Sequence, residues 1–118
     1  MNTLVRLINL KDQRIISDQC IVAVSYFVRL RGWIGKTHAS AGEGILFPKC
    51  LSIHMWFMSI PIDVVFLDEK KVVTSVHREV LPWRLFPLTD RRATDTLELP
   101  SGTIERFGIA PGDALCIA

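Results

Sequence analysis

The chain is 118 residues long, 49% of them apolar and 22% charged, with a formal net charge of +2. That length makes a single domain, 1–118, and that apolar share builds a core, which excludes a disordered tail or a charged low-complexity arm. A charge of +2 is too small to hold nucleic acid by field strength alone.

Arg6 and Asn9 interrupt the apolar start, so the N-terminus lacks the unbroken run of about 7–15 residues that a signal peptide needs. A cytoplasmic location is expected, with export if a leader has been removed. The longest uncharged stretch, 50–62, contains Ser, His and Pro and is shorter than the roughly 18–20 apolar residues that span a bilayer. Cys20, Cys50 and Cys116 are scattered and odd in number, which fits reduced thiols better than a disulfide framework.

In chain order, residues 4–10 alternate loosely and read as a strand. Residues 11–13 are a polar break, and 14–24 resume a β pattern, so the two form a hairpin. Ser25 is a suitable N-cap, and Phe27, Leu30, Trp33 and Ile34 share a helical face, which predicts a short amphipathic helix over 25–34. Residues 36–44 read as a loop, and 45–47 are an apolar run stopped by Pro48. Residues 52–58 and 62–67 are strand candidates, the second the clearest in the chain. A charged turn at 68–71 leads to a return strand at 72–80. Two prolines make 82–87 irregular. Residues 93–99 alternate as a strand, 102–107 form a short helix ended by Gly108, and 114–118 are the last strand.

The sum is a mainly β fold, a β-rich α+β domain. It is a small antiparallel barrel or jelly-roll-like sandwich of about seven or eight strands, with two short helices.

Six ordered words stand out: Gly44-Ile-Leu-Phe-Pro48, Ser52-Ile-His54, Met58-x-x-Pro61-Ile-Asp-Val-Val-Phe-Leu-Asp68, Pro82-Trp-Arg84, Leu97-Glu-Leu-Pro-Ser-Gly102 and Pro111-Gly-Asp113. Together they resemble the family called domain of unknown function 192, over nearly the whole chain. The resemblance implies a single, mostly β domain of barrel-like or jelly-roll-like build with helices on one side. It brings no catalytic activity with it.

Asp63 is the most unusual residue, a carboxylate between Ile62 and Val64 in an apolar strand. Buried and alone it costs several kcal/mol, so it must be paired, protonated or exposed. His54 is the candidate partner. A two-residue turn at 58–59 puts His54 opposite Asp63, and a turn over 58–61 puts it one position diagonal. Either register places both on one face with Ser52, Trp56 and Met58, while a one-residue slip separates them. The site would be a small polar patch in an aromatic wall. The plainer readings are a buried His–Asp pair, or an Asp that caps backbone N–H groups of the turn.

Glu43 lies between glycines in a loop that a ligand could reach, and Trp83 with Arg84 has the composition of a partner contact. His77 reads as a surface or half-buried histidine. Cys50, His54 and Asp63 supply the residue types of a nucleophilic triad, but four residues along a straight strand is roughly 13 Å. No G-x-S-x-G, Walker or G-x-G-x-x-G word and no metal-ligand spacing appears, so no cofactor and no metal are expected, although His54, Asp63 and His77 make a conceivable metal set. Arg29, Arg31, Lys36, Arg91 and Arg92 are not interleaved with aromatic residues as a nucleic-acid surface would be.

The expected function is that of a non-catalytic binding or accessory domain, which binds a partner protein or small ligand through His54, Trp56, Met58 and Asp63, with Trp83 and Arg84 at the rim. The alternative is a small hydrolase-like or metal-assisted enzyme with His54 as base and Asp63 as orienter. The apolar content also points to an apolar surface patch or a homodimer.

Overall fold

A computed structural model describes residues 3–23, 39–55 and 58–118. The expected helix at 25–34, His38 and Trp56 lie outside the described residues. Among the described residues nine strands are formed: β1 Thr3–Asn9, β2 Arg14–Val22, β3 Glu43–Phe47, β4 Ser52–Ile53, β5 Ile62–Leu67, β6 Val73–Val80, β7 Leu88–Thr89, β8 Asp95–Pro100 and β9 Leu115–Ile117. A helix, α1, spans Thr103–Phe107 between β8 and β9, and Gly108 ends it with φ of 61°. Among the described residues no helix is long and apolar enough to cross a membrane.

Seven strands form one sheet in the order β6-β5-β8-β3-β2-β1-β9, and β4 and β7 form a separate pair. The sheet curls into a half-barrel. Its two edges meet at one end, where Val72 bridges Ala114 and the Leu115 N–H donates to the Lys71 carbonyl at 3.0 Å. The hairpins β1–β2 and β5–β6 form as their patterns predict.

Two expectations need correction. The sheet is not wholly antiparallel, because β2 and β3 run parallel, with Ile21 opposite Ile45. The chain between Val22 and Glu43 is long enough for the crossover of a dozen or more residues that a parallel pair requires. The second correction concerns 52–58, of whose described residues Ser52–Ile53 alone form a strand, and its partner is β7, not β5. Every residue of β5 is buried, so it needs a neighbour on each edge and cover on both faces. It finds β6 on one side and β8 on the other, leaving no edge for 52–58.

All the long strands contribute to one apolar cluster that includes Leu7, Leu46, Val65, Leu97, Leu99 and Leu115, as the concave side of a curled sheet allows. Ile104 of α1 plugs this interior. The second cluster covers the outer face of the central strands, with Ile45, Phe47, Val64 and Phe66 beneath Ile53, Met55 and Met58.

Asp63 joins the two halves of this arrangement. It is 0% exposed. One carboxylate oxygen accepts the Glu79 N–H at 2.9 Å, and the other accepts the Ile104 N–H at 2.8 Å. The β5–β6 register jumps between Ile62 and Val64, so Asp63 faces a bulge at Glu79, which sits at φ of 48°. A bulge leaves an amide out of the ladder, and a left-handed non-glycine residue is strained by about 1–3 kcal/mol. Asp63 satisfies that amide and pins the first turn of α1 to the sheet.

Replacing Asp63 by Asn keeps one acceptor and turns the other towards an N–H as a donor. Urea denaturation of D63N is expected to show a loss of about 2–4 kcal/mol, given roughly 1.5–3 kcal/mol for a hydrogen bond to a charged group. A midpoint equal to the wild type would contradict the bracing role.

Candidate functional site

At the α1 end of the half-barrel a groove of about 460 Å³ opens between β2, residues 39–42 and the helix. Ile15 and Ile16 of β2, Ala39 and Ala41 of the loop, and Phe107 of α1 supply its apolar lining. The volume lies within the usual range for small-molecule sites, about 300–1,000 Å³. A smaller cavity of about 110 Å³, bounded by Asp63, Arg78, Glu79 and Glu105, shares Gly102 with it.

Local chemistry shapes the groove walls. Gly42 sits at φ of 89°, and a Cβ there would meet Asp18 Oδ1 at 2.4 Å. Glycine therefore lets the Asp18 carboxylate lie against the loop backbone. The Gly42 carbonyl is held from β2 by the Ser17 hydroxyl at 2.7 Å and the Gln19 N–H at 3.0 Å. On the opposite wall the Phe107 ring carries two guanidinium groups, with Arg14 Cζ 4.6 Å and Arg106 Cζ 5.4 Å from its centroid. Among the described residues, Asp18, Arg14 and Arg106 enter no ion pair.

The expected site residues are dispersed. His54 is exposed, one position beyond β4, whereas Asp63 is buried in β5. The pair expected on adjacent strands is not formed, because β4 and β5 belong to different sheets and both carboxylate oxygens of Asp63 are occupied by amides. Asp63 does cap backbone N–H groups, but those of a distant bulge and helix, not of the neighbouring turn. The triad of Cys50, His54 and Asp63 fails for the same reason, and the Cys50 thiol donates to the Ser52 carbonyl at 3.1 Å. Among the described residues, no three His, Cys, Asp or Glu side chains are grouped to hold a metal, so His54, Asp63 and His77 do not form a metal set.

Met58 is buried in the outer cluster. Glu43 heads β3 half-buried, next to Gly42 at the groove wall. Trp83 is 62% exposed, and its backbone N–H donates to the Met55 carbonyl at 3.1 Å. Arg84 is exposed, with Nε donating to the Phe86 carbonyl at 3.0 Å. Leu81, Leu85 and Phe86 flank them at 67–70% exposure.

Two polar features escape sequence reasoning. The first is Glu98, which is 7% exposed. It lies in the middle of β8 between Ile45 and Val64 on the outer face, with His77 the next residue across from Val64. Among the described residues no donor reaches its carboxyl. Burial pushes that carboxyl up to about 8, so it is neutral at pH 7. In sequence it reads as the outward residue of an alternating strand, because nothing local marks β8 as central.

The second feature is a chain of Asp90, Ser75 and His77. Asp90 accepts from Ser75 at 2.6 Å and from Thr74 at 2.7 Å, and Ser75 Oγ lies 3.1 Å from His77 Nε2. Burial raises the Asp90 carboxyl, but the hydrogen bonds from Ser75, Thr74 and Arg92 outweigh it and hold the group well below the usual range. Burial also lowers His77, with Arg84 adding to the effect and Asp90 opposing it. These are the residue types of a hydrolase triad in the wrong order. The Ser75 proton goes to Asp90, so His77 donates to Ser75 and does not withdraw its proton.

The class of protein is therefore a mainly β, half-barrel domain whose helix end carries an open groove. Residues 8–117 match the DUF192 family, described as "Uncharacterized ACR", and the chain belongs to that family. It is 29% identical over 113 residues to a UPF0127 protein of Thermococcus sibiricus, covering 92% of this chain and 72% of that one. It is 38% identical over 64 residues to a UPF0127 protein of Pyrococcus furiosus, covering 54% and 53%. Among solved structures it is similar to a protein of Sinorhizobium meliloti described as a candidate transcription regulator, at 25% identity and a TM-score of 0.83, covering 99% and 94% of the two chains. A protein of unknown function from Novosphingobium aromaticivorans matches at 22% identity and a TM-score of 0.81, covering 98% and 84%.

The Glu98 environment makes a pH prediction. A carboxyl raised from 4.5 to about 8 by folding favours the native state fully below 4.5, and that stability is lost as pH rises through about 8. Urea titrations between pH 5 and 9 should show E98Q gaining about 3–5 kcal/mol on the wild type across that window, at roughly 1.4 kcal/mol per unit. Parallel pH profiles would contradict the buried neutral acid.

Proposed function

We propose that this domain binds a small ligand without transforming it, and that the groove beside α1 is the site. The observation that carries the reading is a concave space of about 460 Å³, lined by both apolar and polar side chains and bearing opposite charges, Asp18 and Arg106, that do not neutralise each other. Ligand sites combine apolar lining with few oriented polar groups in this way. The enzyme reading built on His54 and Asp63 has lost its support, because Asp63 is enclosed and committed to backbone amides. The regulator description of the Sinorhizobium protein stays with that protein; a charge of +2 gives DNA binding no help here.

A second reading has its own observation. Leu81, Trp83, Leu85 and Phe86 are each 62–70% exposed within six residues, beside Arg84. Such a segment suits a partner protein.

An amide-resolved NMR screen against a small-fragment library separates the two. Shifts are expected at Asp18, Gly42, Ser101 and Phe107. Ala41→Phe, which fills the groove from an exposed position, should abolish them while changing stability by about 0.5 kcal/mol or less. Binding that survives A41F, or shifts confined to 81–86, would contradict the groove as the site.

A further inference from the structure

The polar groups around the groove select a ligand chemistry. At one end Arg14 and Arg106 share the Phe107 ring, their guanidinium carbons 4.6 and 5.4 Å from its centroid. Each is drawn to the face of the ring, yet the two repel each other. Among the described residues no carboxylate pairs with either one. Arg106 lines the groove, and an anion seated there would use its planar donor fork and offset that repulsion.

At the opposite wall the Asp18 carboxylate lies where a side chain on Gly42 would be, and it too has no cationic partner among the described residues. Asp18 and Arg106 line the same space but stay beyond ion-pair distance of each other. Ile15, Ile16, Ala39 and Ala41 line the same space.

Resting on the reading of the groove as the binding site, we infer that it takes a small zwitterion. An anionic group, carboxylate or phosphate, meets Arg106 at the Phe107 end. An ammonium group meets Asp18 at the Gly42 end, and a short apolar body lies between. The two charged ends explain why opposite side chains face one cavity without closing on each other. Aliphatic anions or amines alone would satisfy one end and leave the other unmatched.

The test is NMR titration of the full chain with 4-aminobutyrate, 6-aminohexanoate and O-phosphoethanolamine, against hexanoate and hexylamine as single-charge controls. At least one zwitterion is expected to shift the amides of Asp18, Gly42 and Phe107 at about tenfold lower concentration than either control. Arg106→Gln should weaken that zwitterion about tenfold and leave hexylamine unaffected. Asp18→Asn should weaken it similarly and leave hexanoate unaffected. Both side chains are exposed, so neither variant threatens the fold. O-Phosphoethanolamine binding ahead of both amino acids would identify phosphate as the anion, and the reverse order carboxylate. A control that binds as tightly as every zwitterion overturns this inference and leaves the groove as the site. No shift at the groove with any of the five probes also overturns it, and the fragment screen with A41F then decides the fate of the groove itself.

Discussion

A single carboxylate, Asp63, holds two elements that the backbone ladder alone does not connect. One oxygen closes the bulge at Glu79 on the edge strand β6, and the other fastens the Ile104 amide at the start of α1. The interior of a protein makes an unmatched amide costly and a charge-assisted hydrogen bond strong, so one buried group acts at both places. The strain of a left-handed glutamate is thereby tolerated.

From that brace the rest follows in order. With α1 fixed, Ile104 plugs the concave interior, and Phe107 and Arg106 stand opposite β2 at a set separation. Gly42, held by Ser17 and Gln19, completes the other wall and gives Asp18 its position. The groove is thus a consequence of two polar anchors, one under the helix and one under the loop. The outer face of the sheet is a separate system. There Glu98 is kept neutral among apolar neighbours, and Asp90 ties Thr74 and Ser75 of β6 to the turn at Arg92.

Much of the fold was legible in the sequence because its signals are local. The apolar run at Ile62–Leu67, the charged turn after it and the glycine after Phe107 each act within a few residues. The six ordered words pointed to the family for a similar reason: they mark turns, strands and the helix start where the chain leaves few alternatives. Sheet order is not local. Residues 52–58 look like a partner for β5, but β5 is buried along its whole length and takes β6 and β8. That choice moved His54 away from Asp63. The same missing knowledge hid Glu98, whose neighbours Ile45 and Val64 are far from it in sequence. Asp63 stands out in the sequence as a carboxylate that must be paired, protonated or exposed, and what pairs it depends on a helix 41 residues further on.

Amide hydrogen exchange on the unmodified protein tests the bracing role most directly. If Asp63 holds the bulge and the helix, the Glu79 and Ile104 N–H groups should exchange as slowly as those in the middle of β5 and β8, opening only with the whole domain. Rapid exchange at both amides, with β5 and β8 still protected, would show that the carboxylate does not restrain them and that the groove wall is not anchored in this way.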